Sequence, residues 1–177
     1  FEICATLPRA EIADVLLTTE QGLIGDLTLL GGKTIATSSV RRAQQLKWLS
    51  PGVNVVDIRG NVPTRVRKLI ENGEWDGILL ARAGIERLGI YAPGEASFDF
   101  EGTEVFASEL AEDEFLPAAG QGAVAMEIRS DNVAAREALA TINDKPTFQR
   151  ITAERAFLHL LQAGCQTPVG AYTWFED

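Results

Sequence analysis

The sequence predicts an α/β fold with a mostly parallel sheet. Two observations carry this. Short β-branched runs alternate with segments of helical period from Lys33 to Gly89, and the joints between them are tight. A third is composition: 177 residues at 46% hydrophobic and 23% charged make a globular chain long enough to bury a core.

Taken in order, KTIATSS (33–39) is a short buried-strand pattern. It runs into SSVRRAQQLKWL, a helix whose Val40, Leu46 and Leu49 share a face and whose N-cap is Ser38 or Ser39. VNVVDIRG (53–60) is the second strand. NVPTRVRKLIENG is the second helix, opened by Asn61 or Thr64, with Pro63 in its first turn and Gly73 past its end. DGILLA (76–81) and the short helix AGIERLG complete a β-α-β-α-β unit, which calls for parallel strands and right-handed crossovers. Residues 91–113, rich in Gly, Ser and acids, read as a loop or an irregular edge. FLPAAGQGAVAMEIR (115–129) is an extended apolar run broken by glycines, suited to a crossing between domains. DNVAAREALATIND and PTFQRITAERAFLHLLQAG are helices, the second ending at Gly164. QTPVGAYTWF opens a further β element.

Charge is distributed unevenly. The formal net charge is −9, yet Lys33 to Lys68 holds eight basic residues against the single acid Asp57, leaving −16 on the other 141 residues. In parallel α/β units, strand C-termini and the following helix N-termini share one rim, where ligands bind. Ser39, Arg41 and Arg42 fall at the first such junction, and Arg59, Gly60 and Arg65 at the second. Cations in the first turn of a helix oppose its dipole, at a typical cost of a few tenths of a kcal/mol each. An anion on the rim reverses that sign, and the predominance of Arg favours a carboxylate held by guanidinium forks. Lys47, Arg67 and Lys68 lie further into their helices and read as solvated face.

Other chemistries fit poorly. An acidic total argues against nucleic-acid coating, and no apolar run approaches the ~20 residues that span a bilayer. LGGKT lacks the leading glycine of a phosphate loop, because position 27 is Leu27. GQG (120–122) is too short for a dinucleotide fingerprint. Cys4 and Cys165 have no metal-ligand or disulfide spacing, so no metal site is expected and a reducing, cytoplasmic setting suits the chain. Cys4 reads as a small hydrophobe and His159 as a helix-surface residue. Phe1 at one end, and AYTWF just before Asp177 at the other, suggest ends cut from a longer chain.

TSSVRRAQQL, DIRGNVPTRVRKL, GILLARAGIERLG, LPAAGQGAVAMEIR, ITAERAFL and GCQTPVGAY, in this order and spacing, resemble the porphobilinogen deaminase (hydroxymethylbilane synthase) family. The likeness covers nearly the whole chain outside 91–113. It implies periplasmic-binding-protein-like (type II) α/β domains and a transferase of tetrapyrrole (porphyrin) biosynthesis, cytoplasmic and monomeric. That enzyme joins four porphobilinogens into hydroxymethylbilane on a covalent dipyrromethane primer, with no nucleic acid or membrane partner. By the same resemblance Cys165 attaches the dipyrromethane, and Thr37, Ser39, Arg41, Arg42, Arg59 and Arg65 bind the cofactor and the growing chain. It also implies that 1–12 closes a first-domain segment, 13–116 is the second domain, 117–142 returns to the first, and 145–177 opens the third. The family's catalytic aspartate sits in a Lys-Asp-Val-Pro stretch that is absent here, so no general acid is assigned, and this chain is expected to be inactive alone, without its cofactor. A non-catalytic carboxylate-binding module of the periplasmic type shares the fold and the arginines. The Gly-Cys-Gln turn tells against it, since a mere binder has no use for that cysteine.

Overall fold

A computed structural model describes residues 1–23, 26–164 and 166–176. The chain is an α/β protein built on an open six-stranded sheet and a separate two-stranded one.

The larger sheet comprises β2 (Asp14–Thr18), β3 (Thr34–Ala36), β4 (Asn54–Val56), β5 (Gly77–Ala81), β6 (Ser97–Phe100) and β7 (Thr103–Leu110), in the order β4-β3-β5-β2-β7-β6. The anticipated parallel unit is its first half: β3 pairs parallel with β4 (Thr34 opposite Asn54) and with β5 (Ile35 opposite Gly77). The second half is antiparallel, β2 lying between β5 and β7 with β6 outermost. The sheet as a whole is therefore mixed, with β2 and β6 running against the other four strands.

Both faces are covered, so β2 (DVLLT), with apolar Val15, Leu16 and Leu17 at its centre, is buried throughout. Val15, Leu17, Ile78 and Leu80 point to one face, where they meet Val66 and Leu69 of α2 (Val62–Glu71) and Ile85 of α3 (Arg82–Arg87). Leu16, Ile35 and Leu79 point to the other and meet Leu46 of α1 (Val40–Leu49) and Phe115. The connection through α1 moves outward from β3 to β4 on one face. The one through α2 moves back to β5 on the other, so both crossovers keep the same hand.

Three sequence expectations are corrected. Residues 91–113 are not a loop: they hold β6 and β7, joined by a two-residue turn in which Glu101 (φ 55) and Gly102 (φ 85) both take left-handed backbone. Phe98, Phe100, Val105 and Ala107 alternate into the core beneath the acids that face outward. The last helix, α5 (Lys145–Leu160), stops short of Gly164, because Gln162 turns left-handed (φ 51) and the Ala163 N–H closes back on the Leu158 carbonyl. Residues 166–176 contain no described strand.

The second sheet pairs β1 (Glu2–Thr6) antiparallel with β8 (Ala125–Ile128), and α4 (Val133–Ala140) and α5 pack on β1. No helix among the described residues is long and apolar enough to cross a membrane.

Candidate functional site

The ends of β3, β4 and β5 and the starts of α1 and α2 form one rim. Thr37, buried, donates its backbone N–H to the Val56 carbonyl (2.8 Å), and its hydroxyl accepts from the Ser39 N–H (3.2 Å). Of the two candidate caps for α1, Ser39 is the one used, accepting from the Arg42 N–H (3.4 Å). For α2 it is Asn61, accepting from the Thr64 N–H (2.9 Å). Gly60 is required before that cap: its φ is +124°, and a Cβ there would lie 2.8 Å from the Thr64 methyl.

The four site arginines divide into two pairs. Arg41 and Arg42 share Asp14, the first residue of β2, which antiparallel pairing with β5 brings to the rim opposite Ala81. The Asp14 side chain has no solvent exposure. One carboxylate oxygen takes Arg41 Nη2 (2.6 Å), and the other takes Arg42 Nη2 (2.7 Å), Arg42 Nε (3.1 Å) and Gln121 Nε2 (2.8 Å). Arg41 also donates to the Leu116 carbonyl and lies over the Phe115 ring, and Arg42 donates to the Leu79 carbonyl (3.2 Å). Burial pulls the Arg41 guanidinium below its ordinary value, Asp14 opposes that, and Arg42 adds to it. Arg41 Nε is buried without a hydrogen-bond partner among the described residues.

Arg59 and Arg65 are held far more loosely. Arg59 is 80% exposed and pairs with Asp57 (2.8 Å), a surface contact worth about 0–1 kcal/mol. The Arg65 side chain makes one hydrogen bond among the described residues, from Nε to the Gly60 carbonyl (2.7 Å). It is half-buried, and burial pulls its guanidinium down. Repulsion from Arg42 and then Arg59 pulls it further, against Asp57. Four guanidiniums thus face two carboxylates.

The charge excess of the basic segment is answered in part in space. Lys33 pairs with Asp76 (2.9 Å) and Arg67 with Glu101, both acids from outside the basic segment. Lys68, read as solvated face, reaches back to the Arg59 carbonyl (2.8 Å) and so braces the second junction. Lys47 is exposed.

Ser39 and Arg41 line a cavity of about 270 Å³ together with Ala118, Leu158, Gly164 and Thr167. Cys165 lies outside the described residues. Gly164 and Thr167 are joined by the Thr167 N–H to the Gly164 carbonyl (2.9 Å) and the Gly164 N–H to the Thr167 hydroxyl (3.0 Å). Cys4 is half-buried with its Sγ 3.6 Å from the Met126 carbonyl, and His159 is exposed on α5. No group of three or more His, Cys, Asp or Glu among the described residues is placed to hold a metal. Sequence reasoning passed over Asp14, Arg9, Gln121 and Glu154. The one signal in the sequence was Asp14, a lone charge inside the apolar run IADVLL.

The carboxyl ends of the strands are where open α/β sheets of this kind bind ligands. The sequence profile described as "Porphobilinogen deaminase, dipyromethane cofactor binding domain" matches residues 1–137, and that of the "Porphobilinogen deaminase, C-terminal domain" matches 148–177. The chain belongs to the porphobilinogen deaminase family. It is 39% identical over 176 residues to the porphobilinogen deaminase of Syntrophobacter fumaroxidans, covering 99% of this chain and 52% of that protein. Against the porphobilinogen deaminase of Halalkalibacterium halodurans it is 38% identical over 177 residues, covering 100% and 52%. The chain thus spans about half the length of the curated relatives it matches. Among solved structures, an arginine-bound substrate-binding protein of an amino acid ABC transporter from Streptococcus pneumoniae aligns over 90% of this chain and 60% of its own, at 12% identity and a TM-score of 0.45. An ancestral arginine-binding protein bound to glutamine does so over 83% and 61%, at 18% and 0.47. Likeness at that level carries no argument about function.

Proposed function

We propose that this chain supplies the carboxylate-binding rim of a hydroxymethylbilane synthase, the transferase that condenses four porphobilinogens on a dipyrromethane primer attached at Cys165. The observation that carries the reading is Arg65, a half-buried guanidinium repelled by Arg42 and Arg59 that makes no ion pair among the described residues. Each pyrrole of the substrate bears an acetate and a propionate, so a growing chain brings the charge that this cluster lacks.

The residues fit a dipyrromethane. The first junction offers the Ser39 hydroxyl and, held by Asp14, the guanidiniums of Arg41 and Arg42, with Ser39 and Arg41 lining a cavity whose wall also includes Gly164 and Thr167. When bound, that group supplies an α-free pyrrole as the acceptor for the first substrate unit. Arg59 and Arg65 would hold the substrate's carboxylates, while Arg41 and Arg42, fixed by Asp14, would set the depth at which the primer's acids rest. Loss of ammonia from the substrate's aminomethyl arm leaves positive charge that needs a carboxylate near the pyrrole N–H groups. Among the described residues, the rim's two carboxylates are committed elsewhere: Asp14 to two guanidiniums and an amide, Asp57 to Arg59. No rim carboxylate among the described residues is assigned as the general acid. The division into 13–116 as one domain, and 1–12 with 117–142 as pieces of another, draws support from the two sheets, since β2–β7 fall in the first range and β1, β8 and α4 in the second.

The test is titration of porphobilinogen into the wild-type chain, Arg65→Leu and Arg67→Leu. One charge-assisted contact is worth about 1.5–3 kcal/mol, so Arg65→Leu should weaken binding roughly 10- to 150-fold. Arg67→Leu, whose partner is the exposed Glu101, should change it little. Equal losses at both positions would refute the rim.

A further inference from the structure

Two buried ion-pair centres lie on either side of the GQG turn. The first is Asp14 with Arg41 and Arg42. The second is Glu154 of α5, which is 1% exposed and accepts five hydrogen bonds. They come from Arg9 Nη1 (2.7 Å) and Nη2 (2.9 Å), the Gly120 N–H (2.7 Å), and the Thr173 N–H and hydroxyl (2.9 Å each). Gln121 touches both centres. Its side-chain amide donates to Asp14 Oδ1 (2.8 Å) and the Ile12 carbonyl (2.6 Å), and its side-chain oxygen lies 3.4 Å from Arg41 Nη2. Its backbone carbonyl accepts from Arg9 Nε (2.9 Å). The turn places it there by a close approach of backbone. Gly120 and Gly122 sit at φ 75 and 81, and a Cβ on Gly122 would lie 2.5 Å from the Ala10 carbonyl oxygen.

We propose that Gln121 is a positioning residue that couples the arginine rim to the 170–174 segment downstream of Cys165. The path runs from Arg42 through Asp14, Gln121, Arg9 and Glu154 to Thr173. Asp14 and Glu154 are buried and the links between them at most half-exposed, so a shift at one end leaves a buried carboxylate short of a partner unless the next link follows. A carboxylate arriving at the rim competes with Asp14 for Arg42, and the rearrangement reaches the far end of the attachment region. By reciprocity, docking of the 170–174 segment sets the orientation of Arg41 and Arg42. The functional meaning rests on the rim reading above, whereas the coupling itself does not.

The experiment is amide hydrogen exchange at Thr173 and Gly120 in the 177-residue chain, comparing wild type and Arg42→Lys, each with Gln121 intact and with Gln121→Met. Ile78 and Leu79 of β5 report that the variants are folded, and Gln121→Asn serves if the Met variant is not. With Gln121 intact, Arg42→Lys should speed Thr173 exchange at least about threefold, and with Gln121 replaced it should have almost no effect there. A general stability loss would instead speed β5 as well. Equal responses in both backgrounds, or none in either, would overturn the proposal. Saturating porphobilinogen is the second arm. A chain that shows the Arg42→Lys pattern yet fails to bind porphobilinogen supports the coupling and refutes the rim reading.

Discussion

Two carboxylates fully enclosed by protein, Asp14 and Glu154, fix the geometry of this site. Removing one partner from a buried ion pair typically costs about 3–5 kcal/mol, because the remaining charge is stranded. At Glu154 this has a pH signature. Burial alone would raise its pKa. The hydrogen bonds from Arg9, Gly120 and Thr173 outweigh that and hold it below the ordinary 4.5. Its contribution is therefore complete above the unfolded-state value and is lost as pH falls through the lower folded-state value. Glu154→Gln should unfold at a lower temperature than wild type at pH 7, with the gap narrowing once the pH drops below about 4.5. Thermal melts across pH 3–7 check this, and a gap independent of pH would show that the charge of Glu154 is not what matters. At this scale the sequence disclosed the arginines but not their partners. Arg41 and Arg42 are adjacent in the chain and conspicuous. Asp14 lies 27 residues before Arg41, and Glu154 is 145 residues from Arg9, so neither pairing has a local signature.

Elements were legible where they followed local rules. The β3–α1–β4–α2–β5 unit was readable because strand runs, caps and the glycine after α2 agree with one another. The hairpin of β6 and β7 was missed because its outward positions carry acids and glycines, which mask the alternation of Phe98, Phe100, Val105 and Ala107. Its turn is the clearer sign. Glu101 sits at φ 55, a strained position for a non-glycine residue, so Glu101→Gly should preserve the fold and relieve that strain. It also removes the Arg67 partner, an exposed pair of little worth. Chemical denaturation should show no loss of stability, and a large loss would mean that the Arg67–Glu101 pair holds the hairpin. The end of α5 was misplaced because a left-handed Gln162 does what a glycine commonly does.

At the scale of the molecule, three acids from other segments, Asp14, Asp76 and Glu101, fold back on the basic segment and offset less than half of its excess, and part of what is left over lies at Arg65 beside Arg59. No local window of sequence reveals that residue of charge, since it depends on which acids fold back. The family profiles cover almost all of this chain, and the chain covers about half of its curated relatives. Purified on its own, it should bind porphobilinogen yet release no hydroxymethylbilane, because the enclosed rim carboxylate, Asp14, is held by two guanidiniums and no other described residue is assigned as the general acid. A turnover assay free of host enzyme checks this, and robust product would place the acid within these 177 residues. The central claim, that the rim exists for the substrate's acids, is tested most directly by isothermal titration of porphobilinogen and of its dimethyl ester into the wild-type chain. The account predicts a heat of binding for the diacid that weakens with added salt, and none for the diester. Equal binding of the two would contradict it.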